Sequence, residues 1–338
     1  MAEIVLGFGT AHGPLLSTPP EKWDLRAEAD KKNPNHAFRG GTYSYDELLE
    51  LRKAENLSEQ NAINVRVERH GRCQKQLEYL SETLALIKPD VILIVGDDQR
   101  EWFMEDIQPA FSVYYGDGVI NTAYDEEKAL SMAPGLAYSM QATHPPKDQN
   151  YPCEAGLANK IIEQAIEDEF DISASKTPPV GPKGPKGIGH AVGFVYRRLL
   201  KDKPIPLVPI LINTFFPPNQ AKPKRCYEFG LMIGRAIKNW DSDKKIAVCA
   251  SGGVSHFVID EEFDERILNA MQNGDFQTMF DEPNSMFRSG TSETKNWIVT
   301  AGIMAETGFK MNLLDYVPCY RSDAGTGNAM AFATWTQE

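Results

Sequence analysis

Six histidines and a few acids placed beside glycine-rich turns carry most of this chain's capacity for chemistry. In SGGVSHFVID, residues 251 to 260, two glycines follow the apolar run Lys245–Ala250 and let the chain turn sharply. A side chain a few residues later is then presented from the top of a sheet, and here it is His256. An imidazole in such a place titrates near neutral pH and can take and return a proton; a histidine capping the next helix is the competing reading. His12 follows the apolar run EIVLGFGT and precedes Gly-Pro, the form of a central strand delivering one histidine to the carboxyl edge of a sheet, where open α/β folds bind ligands. VILIVGDDQ brings Asp97, Asp98 and Gln99 to the same edge. Glu293 falls in the first turn of an apolar helix behind a capping pattern at Thr291 or Ser292, where the helix dipole alone accounts for an acid. His190 stands where a Pro/Gly-rich loop meets a helix start, a common home for a working residue. His36, Arg39 and Tyr43 are candidates for closing over a ligand, His70 reads as solvated, and His144 receives no role.

The elements that must position these groups alternate between strand and helix. Apolar runs at residues 3–10, 91–95, 110–115, 205–212 and 245–249 read as buried strands, with a further strand near 171–175. Leu77, Leu80, Leu84 and Ile87 mark an amphipathic helix over 58–88, and further helices are predicted over 155–169, 224–240, after Asp260 and after Glu293. The C-terminus reads as strand, glycine-rich turn and strand, and its GTGN lacks the spacing of a dinucleotide site. The expected class is α/β, a mainly parallel central sheet with helices on both faces in one domain over 1–338. Residues 15–60 form an irregular excursion, expected to be a lid or a subunit contact.

The totals agree with a globular enzyme-sized chain: 338 residues, 42% hydrophobic and 24% charged. A formal charge of −12 disfavours nucleic acid and anionic membranes as partners. No apolar run reaches a membrane span, and the N-terminus carries a glutamate where a signal peptide would be positive, so a cytoplasmic location is expected. The five cysteines are scattered and without a C-x-x-C pair, which argues for reduced, packing residues.

Taken together, His12 after the first strand, DDQ at the end of another, GGVSH, and SGTSETKNW before an apolar helix resemble the class III extradiol ring-cleavage dioxygenases, the superfamily of the protocatechuate 4,5-dioxygenase β subunit. INTFFPPN, RCYEFG and WDSD extend the likeness over nearly the whole chain, which looks closest to the branch acting on gallate and 3-O-methylgallate. The resemblance implies a mononuclear iron(II) held by two histidines and a glutamate, with His12 and Glu293 as two of the ligands. The second histidine of the family falls on Gln99 here, so three outcomes stand open: Gln99 ligates, another histidine such as His190 substitutes, or iron is absent. A retained metal is expected. His256 resembles the family's acid–base residue and His190 a second pocket histidine. The implied substrates are O2 and an aromatic diol acid such as gallate, 3-O-methylgallate or protocatechuate. Arg321, Thr326 and Asn328, with Asn213 or Arg39, are candidates to bind that substrate or its acid group. A homodimer is expected, with the excursion or a neighbouring protomer covering the site. Two other functions compete: metal-free acid–base or hydrolytic chemistry at His256, and a non-catalytic partner subunit.

Overall fold

The computed structural model describes residues 1–181 and 184–337; residues 182 and 183 of the Pro/Gly-rich stretch lie outside the described residues. One nine-stranded sheet organises the chain. Its strands are β1 (Glu3–Thr10), β2 (Val91–Asp97), β3 (Phe111–Tyr114), β4 (Ser173–Ser175), β5 (Leu207–Ile212), β6 (Lys245–Ser251), β7 (His256–Val258), β8 (Lys310–Tyr320) and β9 (Thr326–Thr336). They lie in the order β7-β9-β1-β6-β2-β5-β3-β4, with β8 paired to β9. The central four, β1, β6, β2 and β5, are mutually parallel, as their unbroken apolar runs require. The C-terminal hairpin joins the β1 edge antiparallel, and β3 joins β5 antiparallel.

The helices bearing on the site are α1 (Asp24–Asp30), α2 (Tyr45–Leu51), α3 (Ile63–Ile87), α4 (Ala155–Glu167), α5 (His190–Phe194), α6 (Pro223–Lys238), α7 (Glu261–Asn273) and α8 (Thr294–Ala305). Successive side chains of a strand face opposite ways, so β2 feeds both layers of the core. Val91, Leu93 and Val95 pack with α4, α6, α7 and α8, whereas Ile92 and Ile94 pack with Leu77, Leu80 and Leu84 of α3. This is the expected α/β class with helices on both faces. Among the described residues no helix is long and apolar enough to cross a membrane.

Register aligns the strand ends that matter. Thr10 of β1 stands level with Ser251 of β6, and Asp97 of β2 level with Ile212 of β5. On the antiparallel side His256 pairs with Asn328. α8 is buried along nearly its whole length and crosses α6 where Gly230 and Gly302 meet; a Cβ on Gly230 would come within 2.9 Å of the Gly302 Cα. That close crossing fixes the helix whose start carries Glu293.

The excursion over 15–60 is more regular than its sequence suggests. It folds as short helices, including α1 and α2, around a hairpin of His36–Phe38 with Gly41–Tyr43. Ser44 caps α2 in a full capping box with Glu47. Arg39 grips Asp260 with both arms of its fork, at 3.0 and 2.9 Å, and Arg52 donates to the carbonyls of Ile259 and Gly325. His70 is half-buried, not solvated: it lies beside the Trp23 ring, and burial pushes its pKa down.

Candidate metal centre

Four side chains from four places in the sequence converge at the carboxyl edge: His12, Asp97, His190 and Glu293, whose ligand atoms all lie within 4.8 Å of one another. His12 follows β1, Asp97 ends β2, His190 opens α5 and Glu293 immediately precedes α8. The expected cap at Thr291 or Ser292 does not form. Ser289–Glu293 is a 3-10 turn, and α8 starts without a side-chain cap. Glu293 itself takes the N-cap position, and its carboxylate reaches into the cluster, accepting from the Gly253 N–H at 3.1 Å.

The two glycines of the 251–260 turn explain why this is possible. Gly252 has φ of +105°, and a Cβ there would sit 2.8 Å from both Glu293 Oε2 and His12 Cε1, in the middle of the cluster. The same turn is stitched to the first turn of α8: Trp297 Nε1 donates to the Gly252 carbonyl at 2.6 Å and Asn296 Nδ2 to the Ser251 carbonyl at 2.8 Å.

Hydrogen bonds behind the imidazoles determine which nitrogen faces inward. Ser251 Oγ donates to the Ala191 carbonyl at 2.7 Å, so it accepts from His12 Nδ1 at 3.0 Å and leaves His12 Nε2 as a bare lone pair. Glu101 accepts from both the His190 backbone N–H and His190 Nδ1, each at 2.8 Å, which leaves His190 Nε2 in the same state. These two Nε2 atoms stand 3.1 Å apart, with Glu293 Oε2 3.3 Å from His12 Nε2. Asp97 lies behind them, about 4 Å from each (4.0 and 3.9 Å). Lone pairs and carboxylates so placed repel unless a cation lies among them.

Protonation follows the same logic. Burial works against charge on His190, yet Glu101 beside it raises its pKa to about 10. Burial likewise opposes ionisation of Glu101, and His190 brings it down to about 2. Glu293 is buried too, but the imidazoles of His256 and His12 hold its carboxyl well below the usual carboxylate range. Burial and then Glu293 push Asp97 up. Without a bound metal a proton on His190 Nε2 thus supplies the positive charge among these groups, and metal binding would release it and leave the lone pair facing inward.

His256 adjoins the cluster, with Nε2 3.1 Å from Glu293 Oε1 and Nδ1 3.2 Å from the Val254 carbonyl. Since a carbonyl only accepts, Nδ1 carries a proton and Nε2 is the nitrogen available for exchange. Burial lowers its pKa and Glu293 outweighs that, raising it.

Other candidates fall differently. Gln99 meets the cluster at Asp97, its Nε2 donating to Asp97 Oδ2 at 2.9 Å. Asp98 caps the following turn through the N–H groups of Trp102 and Phe103, and burial lifts its pKa to about 6. Asn213 is buried and spends its amide within its own loop, on Phe216 and Asn219. Arg321, read from sequence as free to receive a carboxylate, has its fork on Asp30 at 2.6 and 2.9 Å, and Thr326 Oγ1 also donates to Asp30. Of that group Asn328 lies nearest the centre, opposite His256 and with Nδ2 2.8 Å from where a Gly13 Cβ would be. The sequence reading missed Glu101 as the partner of His190 and Asp97 as a member of the cluster. Asp97 was visible as the last residue of a buried strand, while nothing in sequence linked Glu101 to His190, 89 residues on.

Sheet and cluster together define an α/β protein whose carboxyl edge has a donor set suited to a divalent metal ion. The chain belongs to the family described as the catalytic LigB subunit of aromatic ring-opening dioxygenase, whose model matches residues 59–327. It is 30% identical over 129 residues, 35% of each chain, to the gallate dioxygenase of Pseudomonas putida. It is 25% identical over 168 residues to the 2,3-dihydroxyphenylpropionate/2,3-dihydroxicinnamic acid 1,2-dioxygenase of Rhodococcus globerulus, covering 50% of this chain and 44% of that one. The matched stretches thus span less than half the length of these curated relatives.

Proposed function

We propose that this protein is a non-haem iron(II)-dependent extradiol dioxygenase that opens the ring of a gallate-type aromatic acid with O2. The observation that carries the reading is the pair of inward lone pairs on His12 and His190 beside the Glu293 carboxylate, each imidazole fixed from behind by Ser251 or Glu101. Two imidazoles and a carboxylate are the ligands that suit iron(II) in oxygenases while leaving positions for other ligands. His12, His190 and Glu293 would hold the ion, with Asp97 as a fourth donor or an outer partner steadied by Gln99 and Asn296. The departure at Gln99 is then met by His190 at the start of α5.

Bound iron would supply a common site at which a vicinal diol and O2 meet and exchange electrons. The protein's own groups do the rest. With Glu293 committed to the ion and its hold on the Nε2 proton weakened, His256 would accept a proton at Nε2 from a substrate hydroxyl and return it later, its Nδ1 anchored on the Val254 carbonyl. Glu101 keeps His190 in one tautomer and orientation. Family membership and the dioxygenase names of the two relatives support the reaction class. The gallate-type substrate rests on the first relative's name and on the earlier resemblance. Oxygen uptake by anaerobically iron-loaded protein with gallate, 3-O-methylgallate and protocatechuate tests the proposal. Uptake that depends on iron supports it; iron-free turnover, or no uptake with any diol after full loading, refutes it.

A further inference from the structure

Under the excursion, close to Asn328, lies a buried polar group with one cation too many. Asp30 at the end of α1 is buried and already receives both arms of Arg321 and the hydroxyl of Thr326. Arg26, one turn earlier on the same helix, is half-buried, and its Nε is shielded from solvent without any hydrogen-bond partner. Among the described residues its guanidinium joins no ion pair, and its aliphatic stem lies against Gly135. Arg26, Arg321 and Asp30 therefore sum to one net positive charge. Burial and the neighbouring Arg321 both depress the Arg26 pKa while Asp30 raises it, as befits a cation held beside another cation. A half-buried guanidinium with an unmet donor is costly unless an anion completes it.

The other arginines on this side are committed: Arg39 to Asp260, Arg52 to Glu55 and two carbonyls, and Arg321 to Asp30. A second orphan, His36 Nδ1, is the wrong kind for a carboxylate, because its Nε2 donates to the Asp30 carbonyl and leaves Nδ1 as an acceptor. The group connects to the metal centre through Arg321 Nη1, 3.5 Å from Asn328 Oδ1, and Asn328 stands beside Gly13 and opposite His256.

We propose that Arg26 is the residue that binds the carboxylate of an aromatic acid lying over the metal centre, and so sets a preference for acids over simple phenols. The inference rests on the reading of that centre as the ring-binding site. A guanidinium fork matches a carboxylate with two parallel hydrogen bonds, and the fixed Arg321–Asp30 pair keeps Arg26 from finding an internal partner.

The test compares gallate with pyrogallol, the same triol without its carboxylate. Binding of each to anaerobic, iron-loaded protein is measured by titration calorimetry for the wild type, Arg26→Gln and Arg26→Lys. Arg26→Gln is expected to weaken gallate by about 10- to 100-fold, as loss of a charged hydrogen bond does, and to leave pyrogallol within about twofold. Arg26→Lys is expected to retain part of the gallate preference. Should Arg26→Gln fail to fold, the Arg26→Lys ratio of gallate to pyrogallol affinity decides, and it must fall below the wild-type ratio. Equal weakening of both ligands, an unchanged ratio, or a wild type that binds gallate no better than pyrogallol overturns the assignment. Gallate binding that depends on Arg26 without oxygen uptake would leave Arg26 in place and sink the dioxygenase reading instead.

Discussion

Two buried acids flank the turn over 251–260, and their surroundings differ in a way that separates support from chemistry. Asp264 on α7 is fully buried, and every approach to it is a donor: the Ser255 N–H at 2.9 Å, the Ser255 hydroxyl at 2.5 Å and the Tyr316 hydroxyl at 2.7 Å. Nothing is left unmet, and the effect is to hold the chain just before His256 in one shape. Glu293 is equally buried, but it shares its space with imidazole nitrogens that have lone pairs to spare. A satisfied buried network fixes a structure, whereas an electron-rich one with inward lone pairs is completed only by a cation.

Breaking the unsatisfied side gives the largest effect. Glu293→Gln is expected to lower iron affinity by more than the 10- to 100-fold that loss of an outer partner costs, and to abolish oxygen uptake, both read by anaerobic iron titration and an oxygen electrode. Circular dichroism should show the fold retained.

Next in size is the internal pair misread as a substrate group. Arg321→Met leaves Asp30 buried with its strongest partner gone and is expected to cost about 3–5 kcal/mol of stability in urea unfolding. If Arg321 instead served the substrate, stability would hold and only KM would rise.

The satisfied side makes its own prediction about pH. Burial lifts Asp264 to about 7 in spite of its three donors, against 3.8 for the ordinary group. Below pH 4 the carboxyl is protonated in both folded and unfolded chains and contributes nothing. Between about pH 4 and 7 the unfolded chain loses this proton while the folded one keeps it, so stability falls as pH rises, by roughly 4 kcal/mol in all, and is flat beyond. Asp264→Asn should remove that slope when unfolding midpoints are compared at pH 5 and pH 8. An unaltered slope would mean that Asp264 is ionised in the fold.

Smaller again is the effect of the outer partners. Glu101→Gln is expected to reduce iron affinity by about 10- to 100-fold by loosening His190. Equal affinity in the variant and the wild type would show that His190 needs no orienting carboxylate.

Much of this arrangement was legible in sequence where a residue stood next to its own structural cause. His12 after an apolar run, the two glycines before His256 and the polar stretch entering an apolar helix at Glu293 each announce a strand end or helix start, and the structure brings all three together. The parallel strands were equally plain from their continuous apolar runs, and the second half of α3 from Leu77, Leu80 and Leu84 at helical spacing. What could not be read were partnerships across the fold. Arginine, asparagine and threonine at 321, 328 and 326 looked free because the acid that occupies Arg321 and Thr326 lies at position 30. His190 came from a Pro/Gly-rich stretch with no periodicity, and its carboxylate partner lies 89 residues away. The excursion hid its short helices and hairpin because elements of three to seven residues show too few repeats to reveal a pattern.

The central claim is that His190, not Gln99, completes the pair of imidazoles around the metal. Anaerobic iron(II) titration of His190→Ala and Gln99→Ala tests it most directly. Iron binding is predicted to be lost in His190→Ala and to stay within about tenfold of wild type in Gln99→Ala, whose side-chain amide donates to Asp97. Firm iron binding by His190→Ala together with its loss in Gln99→Ala would contradict the account.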